Sequence, residues 1–178
     1  MFSYSAPASS AEDTDKWTPR DDDLRILEMR VEQYRLEDVL ATYQYKNMLL
    51  IPIGAMSVIL DLAVDVDPGK GIAQGFLFRE GNTIYLDTTR NQITIKGETQ
   101  SYNSKLVYVL EDDIYVDATL FSKWFDIKIN ADLYSSTVKI TSENPFPFIV
   151  KMEREERIAK TRARLAREQP YYPHHYEP

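Results

Sequence analysis

Two segments of this chain, 65 positions apart, carry one pattern, and that duplication narrows the folds open to it. Laid over "YVDATLFSKWFDIKINAD" (115–132), "LIPIGAMSVILDLAVDVD" (50–67) agrees at three identical positions, Ser57/Ser122, Asp61/Asp126 and Asp67/Asp132. Ten further positions of the 18 are apolar in both copies. Ala55, Met56, Ile59 and Leu60 recur as Leu120, Phe121, Trp124 and Phe125, with the i, i+1, i+4, i+5 spacing of the inner face of a short helix. Pro52 suits a helical first turn, where its missing N–H costs nothing, and Asp117 suits an N-cap. Met56, Ile59, Leu60, Phe121, Trp124 and Phe125 are the expected core.

After each helix the period changes to two. Leu62-Val64-Val66 and Ile127-Ile129-Ala131 read as strands, followed by a turn and a further strand, "IAQGFLF" or "STVKI". The expected unit is strand, short helix, strand, strand, present at 50–78 and again at 115–141. "LRILEMRVEQY" alternates apolar and charged residues from Leu24, "RLEDV" reads as a turn or helical piece, and "NMLLIPI" is extended. "TIYLD", "QITIKG" and "KLVYVL" add strand-like runs between the copies. The fold expected is α+β over residues 24–150: a small, mostly antiparallel sheet with two short helices.

The flanks differ in composition. Residues 1–23, rich in Ser, Ala, Asp and Pro, are expected to be disordered, and the start lacks the basic and apolar regions of an intact signal peptide. Residues 151–178 begin with "KMEREERIAKTRARLARE", with seven basic and four acidic side chains, expected as a solvated helical linker ahead of a Tyr/Pro-rich tail.

Charge and chemistry remove several functions. A net charge of −7 argues against nucleic acid as a partner. The absence of cysteine excludes disulfides, Cys-ligated zinc and thiol nucleophiles. The longest apolar run, Met48 to Ile53, is too short to cross a bilayer.

"DVDPGKGIAQG" (65–75) invites a ligand, but each template for one fails. It lacks the Walker spacing and the hydroxyl after lysine. Gln74 replaces the third glycine of a dinucleotide loop, and Lys70 and Phe76 occupy the positions where a calcium loop needs Gly and Glu. Pro68, Gly69 and Gly71 are therefore expected to be turn residues that act through the backbone alone. "EDD" (111–113) gathers carboxylates, which a hydrolase could use, but neighbours on a strand point to opposite faces, and a solvated strand entrance is expected. His174 and His175, the only histidines, sit in the tail, where a metal would need carboxylates from elsewhere. No catalytic, cofactor or metal residue is expected.

"IPIGAMSVILDLAVDVD" and "DIYVDATLFSKWFDIKINAD…STVKI" resemble the copper amine oxidase N-terminal-like domain. The resemblance implies a small antiparallel sheet wrapped on a helix, acting as an accessory or stalk module without copper ligands. "DDIYVDATLFSKWFDIKINADL", followed by "NPFPF" and a charged segment, is similar to the periplasmic region ahead of the barrel in usher-like proteobacterial outer-membrane proteins. The function this implies is a non-enzymatic periplasmic interaction domain of an envelope protein in fimbrial or surface-polymer export. Its partner would be a secreted subunit, a chaperone or a following domain, met by a monomer without membrane insertion. A glycan- or cell-wall-binding module, marked by exposed Trp or Tyr in a row, is the alternative, and a carboxylate-dependent hydrolase stands third.

Overall fold

The computed structural model describes residues 17–168. Over these residues the fold is α+β, with twelve strands in two sheets and three helices. The strands are β1 (Leu24–Val31), β2 (Tyr34–Tyr45), β3 (Met48–Pro52), β4 (Ala63–Asp67), β5 (Ile72–Phe76), β6 (Thr83–Asp87), β7 (Gln92–Ile95), β8 (Glu98–Ser101), β9 (Val107–Val109), β10 (Ile114–Asp117), β11 (Lys128–Asp132) and β12 (Thr137–Thr141). The helices are α1 (Ile53–Ile59), α2 (Ala118–Phe125) and α3 (Pro147–Glu168). Seven strands form a sheet in the order β11-β12-β1-β2-β3-β10-β9, and five form a second in the order β4-β5-β6-β7-β8. Among the described residues only β1 and β12 pair in parallel.

The two copies meet along β3 and β10, which pair antiparallel. Ile51 faces Val116, its own counterpart in the repeat, while Leu50 faces Asp117 and Pro52 faces Tyr115. A local two-fold axis therefore passes through the Ile51–Val116 pair. Each of these strands belongs to a hairpin at the same offset, since Tyr43 pairs with Leu50 and Tyr108 with Tyr115. The copies then diverge, with hairpin β4–β5 in the five-stranded sheet and β11–β12 in the seven-stranded one.

Two of the identical residues mark shared backbone geometry. Asp61 and Asp126 both adopt φ of 53°, the left-handed residue that stops each helix, a position Asp tolerates better than most side chains. Behind them Leu62 N donates to Ser57 O at 2.8 Å and Ile127 N to Ser122 O at 3.2 Å, closing both helices in the same way. Asp67 and Asp132 each open a four-residue hairpin loop, and Asp87 opens a third. Their carboxylates accept from loop N–H groups (Lys70; Thr89 and Arg90; Tyr134 and Ser135), and the fourth loop residue is left-handed each time: Gly71, Asn91, Ser136.

Both sheets, α1, α2 and the start of α3 contribute to one continuous core. Met56, Leu60, Phe121 and Phe125 are fully buried, Trp124 is 3% exposed, and Phe121 stacks on Phe125 at 4.0 Å. Ile59 is half-buried against this core. Ala55 is exposed, because the inward face of α1 is Ile53, Met56, Ser57 and Leu60, the i, i+3, i+4, i+7 stripe.

Four expectations need correction. The small sheet with two helices is two sheets and three helices, the third 22 residues long. "RLEDV" lies within the 12-residue strand β2, where a bulge leaves Glu37, Asp38 and Val39 all exposed and breaks the alternation a strand normally shows. Of the segment 1–23, residues 1–16 lie outside the described residues, but the rest is not disordered: Trp17 is 7% exposed, and a 3-10 turn at Asp21–Asp23 leads into β1. At the other end α3 begins at Pro147 with Phe146 and Ile149 buried, so residue 150 lies inside a helix rather than between domain and linker.

Candidate functional site

The loop of "DVDPGKG" is the β4–β5 hairpin turn. Lys70 N donates to Asp67 Oδ1 at 3.1 Å, and the Lys70 ammonium lies 3.1 Å from Asp67 Oδ2. Gly71 is held at φ of 67°, its carbonyl accepts from Thr88 N and Thr88 Oγ1, and a Cβ there would collide with that hydroxyl. Gly69 carries no such constraint; a Cβ would meet only Asp67 Oδ1, at 3.4 Å.

The "EDD" run forms the tip of the β9–β10 hairpin, and its three carboxylates differ in role. Glu111 and Asp112 are exposed, and Asp112 Oδ2 accepts from the Tyr115 hydroxyl at 2.8 Å. Asp113 is 6% exposed, which corrects the solvated entrance expected for the run. Its Oδ1 accepts from Gly54 N at 2.8 Å and from its own neighbour Ile114 N at 2.7 Å, and its Oδ2 accepts from Ala55 N at 2.9 Å. Pro52 has no side-chain acceptor for the start of α1, and Asp113, two residues ahead of the second copy, supplies it. Burial, aided by the negative charge of Asp112, pushes the Asp113 carboxyl above the usual range, against the pull of these three N–H groups. In the second copy Asp117 caps α2 directly, accepting from Thr119 N at 3.1 Å.

The hairpin tip and the β4–β5 turn border one open groove of about 830 Å³, shared by Pro68, Gly69, Glu111 and Asp112 with Thr18 and Pro19 of the N-terminal segment. A second cleft, about 510 Å³, opens between the β7–β8 hairpin and α2, with Phe78 and Trp124 against Lys96, Lys123 and Asp126. At 3% exposed, Trp124 is placed for packing against Tyr102 (5.2 Å, edge to face) rather than for stacking on a sugar. Burial, aided by the charge of Asp87, pushes the Tyr102 hydroxyl up to about 12. Among the described residues no group of three or more His, Cys, Asp or Glu is placed to hold a metal, and no helix is long and apolar enough to cross a membrane. His174 and His175 lie outside the described residues.

A surface that the sequence reading missed lies on the face of the seven-stranded sheet opposite the main core. Leu50 and Tyr115 are buried there, with Tyr43, Tyr45 and Tyr108 around them. Trp17 closes this cluster, its ring 5.6, 5.3 and 5.2 Å from those of Tyr43, Tyr45 and Tyr108, and its Nε1 donates to Asp23 Oδ2 at 3.1 Å. The register continues the face outward, since Tyr43 pairs with Leu24, Ala41 with Ile26 and Val39 with Glu28. Ile26 is 57% exposed, Val39 54% and Leu24 37%, a contiguous apolar band beside the aromatic cluster. The signal for the cluster was in the sequence: Tyr43 and Tyr45, like Tyr108 and Leu110, are alternate residues of paired hairpins. No family model matches the chain, and neither the curated proteins nor the solved structures yield a match.

Proposed function

We propose that the chain is a non-enzymatic interaction domain, an accessory module of a periplasmic envelope protein of the usher-like kind, that docks a protein partner on the outer face of its seven-stranded sheet. The observation that carries this reading is the band Leu24, Ile26 and Val39, apolar side chains on adjacent strands left open to solvent. Contiguous exposed apolar surface costs solubility and marks interaction sites more often than isolated exposed residues do. The resemblance of both repeat copies to the copper amine oxidase N-terminal-like domain supports an accessory role. Among the described residues the sheets also end in edge strands without a second neighbour, β9, β11, β4 and β8, which offer backbone groups to an extended segment.

The test is a photo-crosslinking residue placed at Ile26, with a control at Tyr134, which is fully exposed on the β11–β12 loop. In an envelope fraction, adducts to one protein at position 26 and none at 134 support the docking face. Equal labelling at both sites, or catalytic turnover of a substrate by the purified chain, would sink the reading.

A further inference from the structure

The distal part of α3 is a surface of a different kind. From Glu153 to Glu168 every side chain is exposed, so this stretch projects beyond the body that anchors Phe146 and Ile149. A helix in water normally hides one apolar stripe. Here the large apolar residues Val150, Ile158 and Leu165 are 46%, 41% and 52% exposed. With Arg154 and Thr161 they fall at i, i+4, i+8, i+11 and i+15, a single stripe along the helix.

Charge is also arranged along the axis. Glu153, Glu155 and Glu156 lie in the proximal half beside Lys151 and Arg154, whereas Arg157, Lys160, Arg162, Arg164 and Arg167 make up the distal half, with one carboxylate, Glu168, at the end, its Oε1 3.8 Å from Arg164 Nε. Two such helices side by side in parallel would set basic half against basic half. Antiparallel, with Ile158 on the two-fold axis, the stripe matches itself to within one residue: Val150 comes near Leu165 of the second copy and Arg154 near its Thr161. The flanks, to the same tolerance, bring Glu155 near Arg162 and Glu153 near Arg164, each pair occurring twice. Glu153 also accepts from the Tyr34 hydroxyl at 3.3 Å, which holds its carboxylate on the body side of the helix.

We propose that α3 pairs antiparallel with α3 of a second copy of this chain, about a two-fold axis at Ile158. The pairing surface lies wholly outside residues 24–146, so the body alone remains a monomer and its docking face stays free on each copy.

The chain has no cysteine, so single cysteines report the register without background. In the full chain under mild oxidation, Ile158→Cys should cross-link to itself. Leu165→Cys should not, but it should cross-link to Val150→Cys when the two variants are mixed. Self-linking of Leu165→Cys would overturn the proposal: together with self-linking of Ile158→Cys it means a parallel pair, and without it a different register. By sedimentation, the full chain should gain mass toward two chains as concentration rises to the high micromolar range, and Ile158→Asp with Leu165→Asp should hold it at one. The substituted positions are exposed, so thermal melting of the body, followed separately, should be unchanged. A chain that stays monomeric over that range, whatever else binds α3, overturns the proposal. So does a dimer that survives the double substitution.

Discussion

Asp113 Oδ1 accepts a hydrogen bond from Gly54 N at 2.8 Å, so a carboxylate just ahead of the second repeat copy caps the helix of the first. This contact ties the entrance of the second copy to the first, beside the β3–β10 ladder. Asp113→Ala removes the acceptor for Gly54, Ala55 and Ile114 N–H groups in a site from which water is largely excluded. The expected loss is about 2–3 kcal/mol, above the ~1 kcal/mol expected for Asp117→Ala at the more exposed cap of α2. Urea denaturation of both variants checks the order, and an equal loss would mean that Asp113 is an ordinary surface cap.

The same carboxylate should give an unusual pH dependence. Its folded pKa is raised above the unfolded value of about 3.9, so its contribution is fully present below that value and is lost as pH rises through the folded pKa. Asp132 has the opposite sign. The Ser135 hydroxyl, followed by backbone N–H groups, holds it below its ordinary value, so its contribution is present above about 3.9 and is lost as pH falls through the folded pKa. On acidification from neutrality the stability advantage of the natural chain over Asp113→Asn should grow, while its advantage over Asp132→Asn should shrink below about pH 4. Melting temperatures of the three proteins across that range decide it.

The two turn glycines should separate cleanly. Gly69→Ala meets only the end of a flexible carboxylate and should stay within about 0.5 kcal/mol of the natural chain. Gly71→Ala forces a Cβ onto the Thr88 hydroxyl at a left-handed position and should cost about 1–3 kcal/mol. Calorimetry with ATP, NAD or calcium should show no binding heat for either variant or for the natural chain.

Why the sequence yielded the repeat but not the burial of Asp113 and Trp17 follows from what each depends on. Helix faces and hairpin loops are local, and local spacing carries them: Met56 and Leu60, Phe121 and Phe125 fall where their period puts them, and Asp67 and Asp132 open equivalent turns. The burial of Asp113 depends on a helix 59 residues away, and its only local trace is the missing side-chain cap at Pro52. Trp17 follows a run of polar residues, and only the aromatic side chains of three distant strands give it a place to bury. "ETQS" becomes β8 with all four residues exposed, so it carries no apolar alternation to announce it.

Trp124 fills the space between α2 and Tyr102 at 3% exposure, and Trp124→Ala should cost about 3–5 kcal/mol. Unchanged melting would mean an accessible indole and would return weight to glycan binding.

Trp17 gives the sharpest test of the second face. It lies outside the main core, in the separate aromatic cluster, and its indole rests on the rings of Tyr43, Tyr45 and Tyr108 while its N–H is held by Asp23. Trp17→Ala opens that cluster to water and should cost about 3 kcal/mol, the lower end for a buried Trp because the surrounding tyrosines are themselves partly exposed. The main core is built without Trp17, so the variant should still unfold in one cooperative transition at lower urea. Trp17 and Trp124 are the only tryptophans, so in Trp124→Phe the emission reports Trp17 alone. That emission should be shielded from iodide in the folded chain and become quenchable at the same urea concentration at which the secondary structure is lost. Quenching already at the level of a free indole in the absence of urea would show that the N-terminal segment does not cover the aromatic cluster, and the face beside Ile26 and Val39 would then extend across all four tyrosines.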